Sequence, residues 1–486
     1  MTDNIYDAIV VGAGYGGLGI AARLTHAGRR NFLVLERAND IGGVWRDNNY
    51  PGAACDTQSV IYCFGWFPHL SVSRMYAERD ELLQYLRSIV DEFDLADNID
   101  LDCAVHRATW NEETELWIVE DSRGRTHRTR TFVPAVGQLG TPNTPHHPGQ
   151  DTFEGIMFHS ARWRHDIDLT GARVASVGAA ASAVQYVPEV AERAAQLVVF
   201  QRSANYILPR NQHVFTDSER ANHVDHPEAF FELRNAIHTE RERGFARTQH
   251  DTEDQHAGVD DARRHLENQV TDPRLRSKLT PDYEFGCKRI LRSDNYYPAL
   301  TRPNVILETA GIERFTPTGV LTRDGRTYDL DVVVFGTGFA SQTFVGDIEI
   351  VGREGLRLDT RWGDVPEAFL GMMVDGFPNL FLVYGPNTNL NHNSIVRMLE
   401  IQHDFITAAV VRSASGAGPI EATADQVQVF NQSVQSKLSR SAYSSDCSSW
   451  YKNADGRVIN NWSGTVEEYR IAVAEFTALV EDPVDA

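Results

Sequence analysis

The stretch YDAIVVGAGYGGLGIAARL, Tyr6 to Leu24, constrains the fold more than any other part of the chain. A short apolar run leads into glycines at positions 12, 14 and 17 and then into a helix-favouring segment, the pattern of a strand, a tight turn and a helix. Each glycine has a separate job. Gly12 permits the turn, Gly14 lets backbone N–H groups approach a pyrophosphate at the helix N-terminus, and Gly17 allows helix and strand to pack closely. The next apolar run, NFLVLE, ends at Glu36, where a carboxylate can accept hydrogen bonds from a ribose. The four features together predict a dinucleotide-binding βαβ unit.

The pattern returns once. ARVASVGAAASAVQYVPEV, beginning at Ala172, again reads strand, turn and helix, and is followed by QLVVFQRS. Here the acidic position is replaced by Arg202 with Ser203 beside it, which suits a 2′-phosphate better than a free ribose hydroxyl. The first unit is therefore expected to hold FAD and the second NADPH. The second turn runs Gly178, Ala180, Ala183, with Ser182 at the opening of its helix. A methyl group thus stands at Ala180, where glycine would let the pyrophosphate come closest, and a ligand-free structural unit remains an alternative.

With 486 residues, 42% of them hydrophobic, the chain can bury more than one core. The expected class is α/β, with two Rossmann-like dinucleotide-binding domains and a helical insertion. The segment from Asp102 to Val136 alternates apolar and polar residues as an antiparallel meander does, and GQLGTPNTPHHPG marks a linker at Pro142, Pro145 and Pro148. GVLTRDGRTYDL carries a hairpin signal at Asp324 and Gly325, and the following strand leads to Gly338 and Phe339 as a return crossing. This places an FAD-binding domain at 1–144 and 340–486, an NADPH-binding domain at 145–339, and a charged, solvated helical insertion at 211–282. Histidines in that insertion, among them His213, His223 and His250, lack ligand spacing, so no metal site is expected.

A net charge of −21 argues against nucleic acid or anionic membrane as a partner. The apolar runs fall far short of the roughly 20 residues of a membrane span, and the acidic start MTDNIYD lacks the basic flank of an export signal. Five scattered cysteines, Cys55, Cys63, Cys103, Cys287 and Cys447, fit reduced thiols in a cytoplasmic protein. Monomer and homo-oligomer both stay open.

Three further motifs carry a family resemblance. Phe153, Gly155, His159 and Trp163 in FEGIMFHSARW resemble the fingerprint of type I Baeyer-Villiger monooxygenases, class B flavoprotein monooxygenases. GGVWRDNNYPGAACD resembles a second motif of that family through Gly42, Gly43, Trp45, Tyr50, Pro51, Gly52 and Asp56, and FGCKRILRSDNYYPAL resembles the segment with its active-site arginine, here Arg289. The likeness runs from Gly12 to about Trp450.

The resemblance implies an FAD- and NADPH-dependent enzyme that inserts one atom of O2 beside the carbonyl of a small-molecule ketone. The product is an ester or lactone, formed through a C4a-peroxyflavin. It implies Arg289 and Asp56 as catalytic residues, the carboxylate orienting the guanidinium, and Lys288 as a second contact to the 2′-phosphate. It sets His159 and Trp163 at the interdomain linker and Trp450 over the bound nicotinamide, with a core tryptophan as the alternative for the last. Asn387, in the loop to Ser394, could line a flavin. Arg164 departs from the fingerprint, which usually continues with Pro or Asp. The nearest rival is an enzyme of the same fold that oxidises sulfides or amines, which usually lacks Trp163. A disulfide reductase would need a CxxC pair, and a non-catalytic nucleotide-binding protein is the remaining alternative.

Overall fold

A computed structural model of the protein describes residues 4–481. Two sheets organise it. The first has seven strands in the order Glu349–Val351, Val105–Asn111, Leu116–Asp121, Thr126–Pro134, Ile5–Val11, Phe32–Leu35 and Ile99–Asp100. Ile5–Val11 lies in its middle, parallel to neighbours on both sides. Ala8, Ile9 and Val10 are fully buried, because a parallel strand covered on both faces must be apolar throughout. The meander forms as its alternation predicts: Leu116–Asp121 pairs antiparallel with strands on either side.

The second sheet is wholly parallel, in the order Val305–Glu308, Gln196–Phe200, Arg173–Val177, Val332–Phe335 and Ile156–His159. The Asp324–Gly325 turn closes a hairpin between Gly319–Thr322 and Thr327–Asp329, with Gly325 at φ 87°. The chain crosses between the sheets twice, and the crossings pair with each other: Asn143 N–H donates to Gly338 O at 2.9 Å and Ala340 N–H to Thr141 O at 2.9 Å. The paired residues of the two crossings are 141–143 and 338–340.

Two expectations need correction. The insertion contains the helices Asp217–Asp225, Pro227–Arg243, Glu253–Gln269 and Pro273–Leu279, but Pro227–Arg243 is not merely a solvated helix. Phe230 and Ile237 join the core of the first unit, and Arg234, 1% exposed, donates to Val60 O at 2.7 Å and Cys63 O at 2.9 Å and pairs with Glu400. A guanidinium can enter a core when carbonyls and a carboxylate satisfy its donors. The second correction concerns the thiols. Cys55, Cys63 and Cys103 are free, but Cys287 and Cys447 form a disulfide. The two lie 160 positions apart, so only the folded chain brings them together.

Candidate active site

The first glycine turn has the geometry its spacing predicts. Gly12 sits at φ 105°, and a Cβ there would lie 2.7 Å from Ala135 O. The helix Tyr15–His26 opens at Gly14 without any side-chain cap, so its first N–H groups remain available to an anion. Gly14 faces Gly43 of the second motif: a Cβ on Gly43 would stand 3.2 Å from the Gly14 Cα. Two glycine backbones thus form one cradle. Glu36 is buried and accepts from Ala13 N–H at 2.8 Å, Ala38 N–H at 3.0 Å and Arg46 at 3.0 Å, which places its carboxylate at the strand end facing the turn. Trp45 packs edge-on to Tyr62, and its buried indole N–H has no partner among the described residues. These features fit the pyrophosphate and ribose of FAD.

The second turn is built likewise. Gly178, at φ 109°, approaches Gly336 so closely that a Cβ would lie 2.3 Å from its carbonyl oxygen. Helix Ala181–Arg193 begins at Ala180, again uncapped. Half-buried Ser182 lies in the first turn of that helix. Two side chains expected at a 2′-phosphate meet: Lys288 Nζ donates to Ser203 Oγ at 2.8 Å and lies 4.3 Å from the centre of the Tyr283 ring. Burial first, then the charge of Arg202, pushes the Lys288 ammonium below its ordinary value. Two cations held this close are costly unless an anion joins them, which fits a 2′-phosphate.

Asp56 and Arg289, 233 positions apart, meet in a bidentate pair at 2.7 and 3.0 Å. Burial alone would raise the Asp56 carboxyl, but Arg289, with Arg210 and Arg241 beyond it, holds it below its ordinary value. The Asp56 charge in turn keeps Arg289 firmly protonated. Both line a cavity of about 260 Å³ with Thr57, the end of helix Pro227–Arg243 and the loop Leu390–Asn393. The loop carrying Asp56 also rests on the second unit: Tyr50 O–H donates to Gln185 Oε1 at 2.9 Å, and Gln185 Nε2 donates to Ala54 O at 2.8 Å.

Of the fingerprint residues, His159 touches one of the paired crossings. The His159 ring packs edge-on against Phe339 at 5.7 Å, and its Nδ1 accepts from Ala161 N–H. Burial lowers its pKa, favouring the neutral ring. Trp163 fits between Phe158 at 5.2 Å and Tyr186 at 5.5 Å. Phe153 packs on Phe315, and a side chain on Gly155 would collide with the Phe153 ring. Arg164 pairs with Asp166 at the surface, away from that packing.

Asn387 and Trp450 make their contacts within the chain, Trp450 in the manner of the core alternative. The Asn387 amide donates to Val458 O and Asn461 O, so it ties the loop to the C-terminal segment. Trp450 packs on Tyr451 at 4.6 Å and against the first unit's core, while Tyr451 is fully buried and its hydroxyl lacks a partner among the described residues. Sequence reasoning missed Arg241, Arg292 and Tyr451, which carry no spacing signal and reach the site only through tertiary folding.

Fold and site together define a protein with two nucleotide-binding units around an arginine–carboxylate pair. A family described as pyridine nucleotide-disulphide oxidoreductase matches residues 9–224. A Baeyer-Villiger monooxygenase of Streptomyces coelicolor is 38% identical over 98% of this chain and 93% of its own length. One from Pseudomonas aeruginosa is 36% identical over 96% and 90%. Among solved structures, an oxidised steroid monooxygenase bound to NADP superposes with a TM-score of 0.87 at 33% identity, covering 98% of both chains. The chain belongs to the Baeyer-Villiger monooxygenase family.

Proposed function

We propose that the protein is an FAD- and NADPH-dependent monooxygenase that inserts one atom of O2 beside a ketone carbonyl to give an ester or lactone. The observation that carries this reading is the bidentate Asp56–Arg289 pair lining a cavity, in a chain whose two glycine turns each lead into a helix without a side-chain cap. FAD, when bound, supplies the redox chemistry, accepting reducing equivalents from NADPH and passing them to O2. The chain's own residues do the rest. Gly12, Gly14, Gly17, Gly43, Glu36 and Trp45 would hold FAD. Gly178, Ser182, Arg202, Ser203 and Lys288 would hold NADPH, the last three at the 2′-phosphate.

Arg289, fixed by its bidentate pairing with Asp56, supplies a permanent charge where negative charge develops on the substrate oxygen, a role suited to a preorganised donor. His159 and Trp163 act through the paired crossings and position one unit against the other. The FAD unit comprises 1–144 and 340–486, and the NADPH unit 145–339. We place the enzyme in the cytoplasm; the Cys287–Cys447 bond runs against that setting. Among the described residues no helix is long and apolar enough to cross a membrane.

A panel of cyclic and aryl ketones beside thioethers, with product analysis, tests the reading. Esters or lactones, formed one per NADPH oxidised, are expected. Sulfoxides without any ester would overturn it in favour of heteroatom oxidation.

A further inference from the structure

The cavity beside Asp56 and Arg289 has a charge that the rest of the chain does not share. Five arginines line it, Arg241, Arg243, Arg247, Arg289 and Arg292, in a protein of net charge −21. Two of them are paired, Arg289 with Asp56 and Arg247 with Asp261. The other three meet no carboxylate among the described residues. Arg241 donates through Nε at 2.8 Å, and through Nη2, to the neutral Gln58 side-chain oxygen, and Arg292 donates to Pro209 O at 3.2 Å. The remaining acids of the lining, Glu240 and Asp254, are exposed at its rim.

Burial, then the charge of Arg292, pushes Arg241 down to about 10, so it stays protonated at neutral pH while bearing a desolvation cost that the more distant charges of Asp56 and Glu240 offset only in part. A guanidinium fork with a neutral partner is suited to a planar carboxylate.

Resting on the ketone-oxygenation reading, we propose that the cavity takes an anionic ketone, a keto acid whose carbonyl faces Arg289 and whose carboxylate pairs with Arg241 and Arg292. The same cations could instead serve a phosphate of the nicotinamide cofactor, and the experiment separates the two.

The probes are 7-oxooctanoate and its neutral methyl ester, used with the FAD-loaded enzyme. Calorimetric titration in the presence of NADP+ gives the affinity of each, and turnover with NADPH gives kcat/KM. The wild type is expected to favour the acid over the ester by about 10-fold or more, the worth of a charge-assisted pair. Arg241→Gln should abolish that ratio and Arg241→Lys should keep part of it. Should Arg241→Gln fail to retain FAD, Arg292→Gln is read in the same way.

Equal affinity and equal kcat/KM for acid and ester in the wild type would overturn the proposal. So would a variant that raises the KM for NADPH and leaves the acid-to-ester ratio intact, which would assign the arginines to the cofactor. If neither probe is oxygenated but the acid binds selectively through Arg241, the anion site stands and the ketone reading falls.

Discussion

Replacing Arg289 by Ala separates two halves of the reaction. Transfer of reducing equivalents from NADPH to the flavin needs both nucleotides seated, and their seats are the two glycine turns and the Lys288–Ser203 pair. The Arg289 side chain instead donates its hydrogen bonds to Asp56. Oxygen insertion needs positive charge at the substrate, and a preorganised donor of this kind is worth about 3–4 kcal/mol, or roughly 10²–10³ in rate. The substitution also leaves Asp56 without its bidentate partner. Breaking a fully buried pair costs about 3–5 kcal/mol, but here the side chains retain 32% and 23% exposure and Arg210 and Arg241 remain near the carboxylate, so the loss of stability should be well below that figure. Anaerobic stopped-flow measurement of flavin bleaching should change less than about 10-fold. Ester formation, by gas chromatography, should fall by about 10²–10³, with NADPH consumption diverted to hydrogen peroxide. Arg289→Lys should fall between, because an ammonium cannot reproduce the two-point contact with Asp56. Ester made by Arg289→Ala at the wild-type rate would refute the assignment.

The phosphate site predicts that Arg202→Ala with Lys288→Ala raises the KM for NADPH by about 10–100-fold, the worth of one or two charge-assisted hydrogen bonds, and leaves NADH nearly unaffected; parallel steady-state titrations check it. Trp163→Ala removes the ring between Phe158 and Tyr186 and should leave FAD bound while lowering kcat, as read from flavin content and turnover. Thiol titration of the denatured, unreduced protein should find three reactive groups, Cys55, Cys63 and Cys103, and five after reduction.

Local rules reached as far as contacts within one βαβ unit. Gly12, Gly17 and Gly178 could be assigned because close backbone approach forbids a side chain there, and that constraint is written in three or four neighbouring letters. Glu36 was legible for the same reason. Asp56 with Arg289 was reached by resemblance alone, since a pair 233 positions apart leaves no local pattern. The Cys287–Cys447 bond and the arginine lining of the cavity were out of reach, because each is assembled from segments that periodicity treats as unrelated. Arg234 misled most instructively: its helix is charged, and its burial depends on the carbonyls of Val60 and Cys63 on another element.

The most direct test of oxygen insertion is turnover of a cyclic ketone under ¹⁸O2 with NADPH, followed by mass spectrometry of the product. Insertion beside the carbonyl predicts a lactone carrying one ¹⁸O atom, formed in step with NADPH oxidation. NADPH oxidised with the ketone recovered unchanged and all label in peroxide or water would contradict the account.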